Sequence, residues 1–254
     1  MEVAKIGSIS IERQQLWDAL EERFGQEVLS DLIDEEVIKQ AASEYNISVS
    51  EEELATELTM IKAKYGSYDE QYLWYGSDWE EQIEQKILLE KILVQSIDLS
   101  ESAVEEAYNA NKDLYTIDKT YRLSHIIVGD KKTAESLYEQ LQDGASFSTL
   151  VLEQSTDSGT AYQDGDIGYI NKEQTRYPSS YFKQAEKLKE GEYSKPFKID
   201  DGYVLIYVHE IIKAKTFTYK EVKSMIEREL ALAEIDSAIT ASYFWDEFGV
   251  ERNY

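Results

Sequence analysis

The sequence predicts an α+β fold: a small antiparallel sheet with surrounding helices, inserted in a helical domain. Three observations predict it. Between Tyr121 and Glu210, short apolar runs alternate with helix-period segments in the order β, α, α, β, α, β, β. On both flanks apolar residues recur at three-to-four spacing, the period of an amphipathic helix. Helix-start signatures of the Ser/Thr-x-x-Glu kind stand at Ser50–Glu53, Ser77–Glu80 and Thr218–Glu221.

Taken in order, Val3 to Ile11 alternates apolar and polar residues around Gly7, as a short strand or hairpin does. Leu16, Trp17, Leu20 and Phe24 share the face of a helix that Gly25 is expected to end. A second helix, Gln26 to Tyr45, carries Leu29, Leu32, Ile33, Val37 and Ala41 and exits at Asn46. Further helices start at Ser50, at Ser77 (running through Trp79, Ile83, Ile87 and Ile92) and at Ser100, the last reaching Leu114.

In the central block, Tyr121 to Val128 reads as a central strand with His125 turned out of the apolar run. Lys131 to Gln142 is a helix on Ala134, Leu137, Tyr138 and Leu141, stopped by Asp143-Gly144, and Ser146 to Gln154 is a second short one. Ser155 to Asp164 is small and polar, Gly165 to Gly168 is a turn, and Tyr169-Ile170 a brief strand. After the loop around Pro178 come a helix at Ser180 to Lys189, an extended piece at Ser194 to Ile199, and the turn Asp200-Asp201-Gly202 into the strand Tyr203 to Val208.

The chain then returns to helix from Thr218, with Val222, Met225, Ile226, Leu230 and Ala233 on its apolar face. An isolated helix with such a face has nothing to bury it, so it is expected to close the N-terminal helical set against Leu29, Leu32, Ile33, Ile83 and Ile87. The expected domains are therefore 1–118, helical; 119–212, the inserted α+β block; and 213–254, the helix completing the helical domain.

A formal charge of −25 argues against nucleic acid and against direct binding to anionic membranes. There is no cysteine, and His125 and His209 are the two histidines, so neither a thiolate nucleophile nor a metal cluster is expected. No apolar run approaches the roughly 18 residues of a membrane helix. No signal peptide precedes Glu2, which leaves two readings: a cytoplasmic protein, or an exported one whose leader lies upstream of Met1.

Five motifs in the central block fall in a recognisable order: Ser124-His125-Ile126-Ile127-Val128, Ser155-Thr156-Asp157, Gly165-Asp166-Ile167-Gly168, Leu188 to Pro196, and Asp201-Gly202-Tyr203. Together they resemble the parvulin family of peptidyl-prolyl cis-trans isomerases. The resemblance implies a parvulin-like domain at 119–212, no cofactor, and a site in which His125 takes the place of the family's first histidine and Asp157 that of its Asp or Cys. The shelf for the proline ring would be Thr175 in place of a Met and Tyr181 in place of a Phe, with Ile167 and Ile170 as flanking wall. Two positions depart from the family: Val204 stands where the second histidine belongs and Ile199 where a hydroxyl residue belongs. Without the family, His125 reads more readily as a core-edge histidine hydrogen-bonded for structure than as a site residue, and Asp157 simply as a turn aspartate.

The whole arrangement, with Val3 to Gly7, Leu29 to Asp34 and Ile47 to Leu54, resembles the PrsA and SurA group of bacterial foldases. That resemblance implies an extracytoplasmic, often membrane-tethered folding factor whose partners are unfolded or proline-containing polypeptides. Two functions stay open. One is a foldase that isomerises X-Pro bonds, favoured by His125, Asp157 and the turn motifs. The other is a holdase or assembly chaperone whose parvulin fold binds peptide or is structural, favoured by Val204 and Ile199. Tyr65, Tyr68, Tyr72, Trp74, Tyr75 and Trp79 crowd one stretch, as a surface for gripping other chains or as filling for a helical core.

Overall fold

A glycine ends a helix where the chain must turn, and at Gly25 it does not. The computed structural model describes residues 1–66, 79–174, 176–235 and 240–253, and only the backbone of Trp79. It opens with a hairpin of β1 (Glu2–Ile6) and β2 (Ile9–Glu12) and then runs a single helix, α1 (Arg13–Glu44), straight through Gly25. The two helices expected on either side of that residue are one, an internal glycine costing only about 1 kcal/mol relative to alanine. The exit at Asn46 is built as the sequence suggests, with its backbone in the left-handed region at φ +55°. Among the described residues there follow α2 (Glu51–Tyr65), α3 (Trp79–Val94) and α4 (Glu101–Ala110), the last capped by Ser100, whose hydroxyl accepts from the Ala103 amide. Ser77, Tyr68, Tyr72, Trp74, Tyr75 and the side chain of Trp79 lie outside the described residues.

The chain divides into two compact units, Met1–Ser50 with Glu81–Leu99 and Glu227–Tyr254, and Glu51–Glu80 with Ser100–Ile226. In the first, Val37, Ile38, Ala41 and Ala42 of α1 pack with Leu88 and Ile92 of α3 and with Ala241 and Phe244. Arg228 is buried there, its Nε 3.1 Å from the Glu90 carboxylate, a charge kept inside by its partner. Leu32, expected on a buried face, is 58% exposed. The late helix α8 (Tyr219–Leu232) divides between the units, Val222 and Ile226 being buried residues of the second and Ala231 one of the first, and it ends before Ala233. Its start is the expected box: the Glu221 carboxylate accepts from the Thr218 amide at 2.8 Å.

The second unit holds a four-stranded sheet of order β5-β4-β7-β6, antiparallel throughout, and a separate two-stranded ribbon of β3 (Thr116–Ile117) with β8 (Lys215–Thr216). The strands are β4 (Thr120–Val128), β5 (Asp166–Ile170), β6 (Phe197–Ile199) and β7 (Gly202–Ile212). Side chains alternate across it. Ile126, Val128 and Leu205 meet α5 (Lys131–Gln142) and α6 (Phe147–Gln154) through Leu137, Leu141, Leu150 and Val151. Tyr121, Leu123, Val204, Ile206 and Val208 meet Tyr181 and Ala185 of α7 (Ser180–Ala185) in the other cluster. Strand β5 begins earlier than the expected Tyr169, because Gly165 at φ +70° makes the bend by itself.

Candidate functional site

Strand β4 carries His125 and the segment after α6 brings Asp157 to it. The link is local: Thr156 donates from its amide to the Ile127 carbonyl at 2.8 Å and from its hydroxyl to the same oxygen, and the Ser155 hydroxyl accepts from the Ile127 and Asp157 amides. The small polar run Ser155-Thr156-Asp157 is therefore stitched to β4, which is why short hydroxyl residues precede the aspartate. His125 Nε2 lies 2.7 Å from Asp157 Oδ2 and 3.1 Å from Thr160 Oγ1, and Thr160 donates to that same carboxylate oxygen at 2.9 Å. The Gly159 amide donates to Asp157 Oδ1 at 3.0 Å.

The other ring nitrogen is held as well. His125 Nδ1 lies 3.0 Å from the Tyr181 hydroxyl, both side chains being about 1% exposed. Tyr177 packs edge-on to the imidazole, placed by the Gln174 side chain, which bonds both the Tyr177 amide and its carbonyl. Burial works to raise the Asp157 carboxyl, but the hydrogen bonds from His125, Thr160 and Gly159 outweigh it and hold it below its usual range. Burial pushes His125 down from the ordinary histidine value, with Asp157 only partly opposing, and burial likewise pushes the Tyr181 phenol up. The resting state follows: a neutral imidazole whose Nε2–H donates to an ionised Asp157, while Tyr181 O–H donates to Nδ1.

Of the residues expected at the site, His125, Asp157 and Tyr181 come together, while Thr175 lies outside the described residues. Ile167 and Ile170, expected as flanking wall, and Tyr181, expected on the shelf for a proline ring, are instead interior, and Val204, which stands at the family's second-histidine position, is interior as well, none of the four more than 2% exposed. They belong to the cluster between the sheet and α7, Ile170 lying across from Tyr121 and Val204 between Ile127 and Phe197. Ile199 is half-buried at its edge. The accessible polar edge is Asp157, with a side chain 29% exposed, together with Thr160. Thr160 and Tyr177 were not singled out from sequence. The signal for Thr160 was its place three residues past Asp157 in a small polar loop, the reach of an Asx-type contact. His209 is elsewhere: its Nε2 is 2.8 Å from Ser124 Oγ, and Ser124 points to the sheet face opposite His125.

A pH dependence follows. Because His125 titrates lower in the folded chain than in the unfolded one, folding keeps its full benefit above about pH 6.5, the unfolded histidine value, and loses it as pH falls below that. His209, nearer the surface, is lowered by burial in the same direction. Urea midpoints are expected to fall between pH 7.5 and pH 5.5, with a shallower fall in His125→Gln; equal slopes in the two proteins contradict the buried neutral imidazole.

Residues 99–224 match the family described as the PPIC-type PPIASE domain. The chain is 35% identical over 253 residues to YacD of Bacillus subtilis (strain 168), covering 99% of this chain and 85% of that one. To the foldase protein PrsA of Geobacillus kaustophilus (strain HTA426) it is 33% identical over 92% of its own length and 78% of the relative's. The crystal structure of PrsA from Bacillus subtilis aligns over 98% of both chains at 26% identity, with a TM-score of 0.34.

Proposed function

Because this chain belongs to the family of PPIC-type, or parvulin-type, peptidyl-prolyl cis-trans isomerases that includes YacD and the PrsA foldases, we propose that it is a folding factor acting outside the cytoplasm. In this reading it binds unfolded, proline-containing polypeptide and turns X-Pro bonds over beside Asp157. The barrier is about 18–20 kcal/mol, set by amide resonance, and the uncatalysed step takes tens of seconds or more. No bond to the peptide is made or broken, so the site needs no nucleophile. It needs a fixed polar surface, already oriented, that supports the amide when it is twisted and its resonance is lost. The observation that carries this reading is the His125 ring fixed at both nitrogens, with the ionised Asp157 and the Thr160 hydroxyl at its accessible edge.

A holdase is the second reading, supported by Val204: the histidine position of the family is filled by an apolar side chain with no exposure. The two separate in a refolding experiment on a client whose slow phase is proline isomerisation. The chain is expected to speed that phase and Asp157→Ala to lose the acceleration. Suppressed aggregation with an unchanged slow phase in the wild type would establish the holdase reading instead.

A further inference from the structure

Helix α2 ends against the β5 edge of the sheet, and the contact reaches the site. The Ala63 carbonyl, in the last turn where the helix's own amides run out, accepts from Asn171 Nδ2 at 3.0 Å. The Gly66 carbonyl accepts from the Tyr169 amide of β5 at 3.4 Å, in an approach so close that a Cβ on Gly66 would lie 2.6 Å from the Tyr169 ring. Asn171 uses its oxygen as well: Oδ1 accepts from the Glu173 amide at 2.9 Å and from the Gln174 amide at 3.1 Å, the contact that folds an Asx turn. That turn delivers Gln174 in a buried position, where its side chain accepts from the Tyr177 amide at 3.0 Å and donates to the Tyr177 carbonyl at 3.1 Å. Tyr177 in turn stands edge-on to the His125 ring, 5.9 Å between centroids, and against the Tyr181 ring at 5.3 Å.

We propose that Asn171 is a positioning residue of the isomerase reaction: pinned to α2 by its nitrogen and to the Gln174 turn by its oxygen, it sets where Tyr177 meets the His125 imidazole. A side-chain amide suits this place because it donates at one end and accepts at the other, whereas an ionised aspartate only accepts. Tyr177 covers one side of the imidazole, so a shift of Tyr177 admits water there and loosens the ring that holds Asp157 at the accessible edge. Ala63 and Asn171 are 108 residues apart in the chain, and the site is thereby completed by a helix that precedes the inserted block. The inference rests on the isomerase reading for its effect on rate, while the link from α2 to the ring is read without turnover.

Imidazole ring-proton NMR signals of the full chain, measured beside its isomerase rate, test it. The two histidines supply a probe at His125 and a reference at His209, which bonds to Ser124 on the opposite sheet face. Asn171→Asp keeps the oxygen that accepts from the Glu173 and Gln174 amides and loses the donor to Ala63. It should carry the His125 signals part of the way to their positions in Tyr177→Leu, leave those of His209 in place, and lower kcat/KM on a proline tetrapeptide by about tenfold. Gln174→Ala, which frees Tyr177 from both bonds, should move the same signals further. His125 signals that stay at their wild-type positions in both variants overturn the proposal, as does a displaced His125 in a chain that isomerises at the wild-type rate. A wild type without turnover is the separate outcome that refutes the isomerase reading and this role together.

Discussion

In Gly165→Ala the second unit is expected to lose about 3 kcal/mol of stability or more, from forcing a side chain into the left-handed region and into a filled space. Gly165 sits at φ +70°, and a Cβ placed there would lie 2.3 Å from the His125 carbonyl oxygen and 3.1 Å from a methyl of Val151. Relief by backbone movement is costly, because the His125 amide donates to the Gly165 carbonyl at 2.8 Å and the Gly165 amide to the Thr160 carbonyl at 2.9 Å. The glycine therefore holds the site strand and the Asp157 loop at their spacing. Gly129→Ala is the control, since a Cβ there meets nothing within 4 Å and its cost should stay within about 0.5 kcal/mol. Urea unfolding followed by the tyrosine signal of the second unit separates the two, and equal midpoints for both variants would refute the close approach.

The largest expected effect on activity is at the imidazole and its carboxylate. Asp157→Ala or His125→Ala should lower kcat/KM on a proline tetrapeptide by on the order of a hundredfold, the cost of removing one preorganised polar partner of a transition state. Asp157→Ala is the cleaner of the two, because the side chain is partly exposed and its loss leaves no large void, whereas removing a buried ring opens one. Tyr181→Phe deletes only the hydroxyl that donates to His125 Nδ1 and leaves a buried acceptor unsatisfied, which costs about 1–3 kcal/mol. Its activity should fall less than that of Asp157→Ala, with the 15N shift of Nδ1 moving toward that of an acceptor without a partner. Unchanged shifts would mean that the Tyr181 hydroxyl does not hold the ring.

Local signals carried well into the structure where the chain satisfies its own backbone. Helix α5 spans Lys131 to Gln142 and stops at Asp143-Gly144 as the sequence indicates, and Thr218 and Glu221 start α8. Signals failed where tertiary packing outweighs propensity. Gly25 is helical because thirty-two residues of α1 continue through it, and β5 reaches back to Asp166 because β4 offers it partners. At the site, the pairing of His125 with Asp157 was legible from the family order of the motifs. The role of the Tyr181 hydroxyl was not, since a tyrosine in place of a phenylalanine reads as one more apolar wall until a distance shows where its oxygen sits. Burial of Ile167 and Ile170 was equally hidden, because an apolar strand residue looks the same in sequence whether it lines a cleft or fills a core.

The arrangement of the two units follows the order of the chain, since Ser100–Ile226 is preceded and followed by segments of the other unit. We propose that the parvulin-like block is an insertion in a helical domain closed by the C-terminal segment, and that this domain supplies client binding while the inserted block supplies turnover.

Two-dimensional exchange NMR on a proline tetrapeptide mixed with the full chain tests the central claim most directly. Uncatalysed X-Pro exchange takes tens of seconds or more, far too slow to register during mixing times below a second. With the wild-type chain present, cross peaks linking the cis and trans signals are expected, and with Asp157→Ala at equal concentration they are expected to vanish. Absence of cross peaks with the wild type, or equal cross peaks with both proteins, would contradict an isomerase site built on His125 and Asp157.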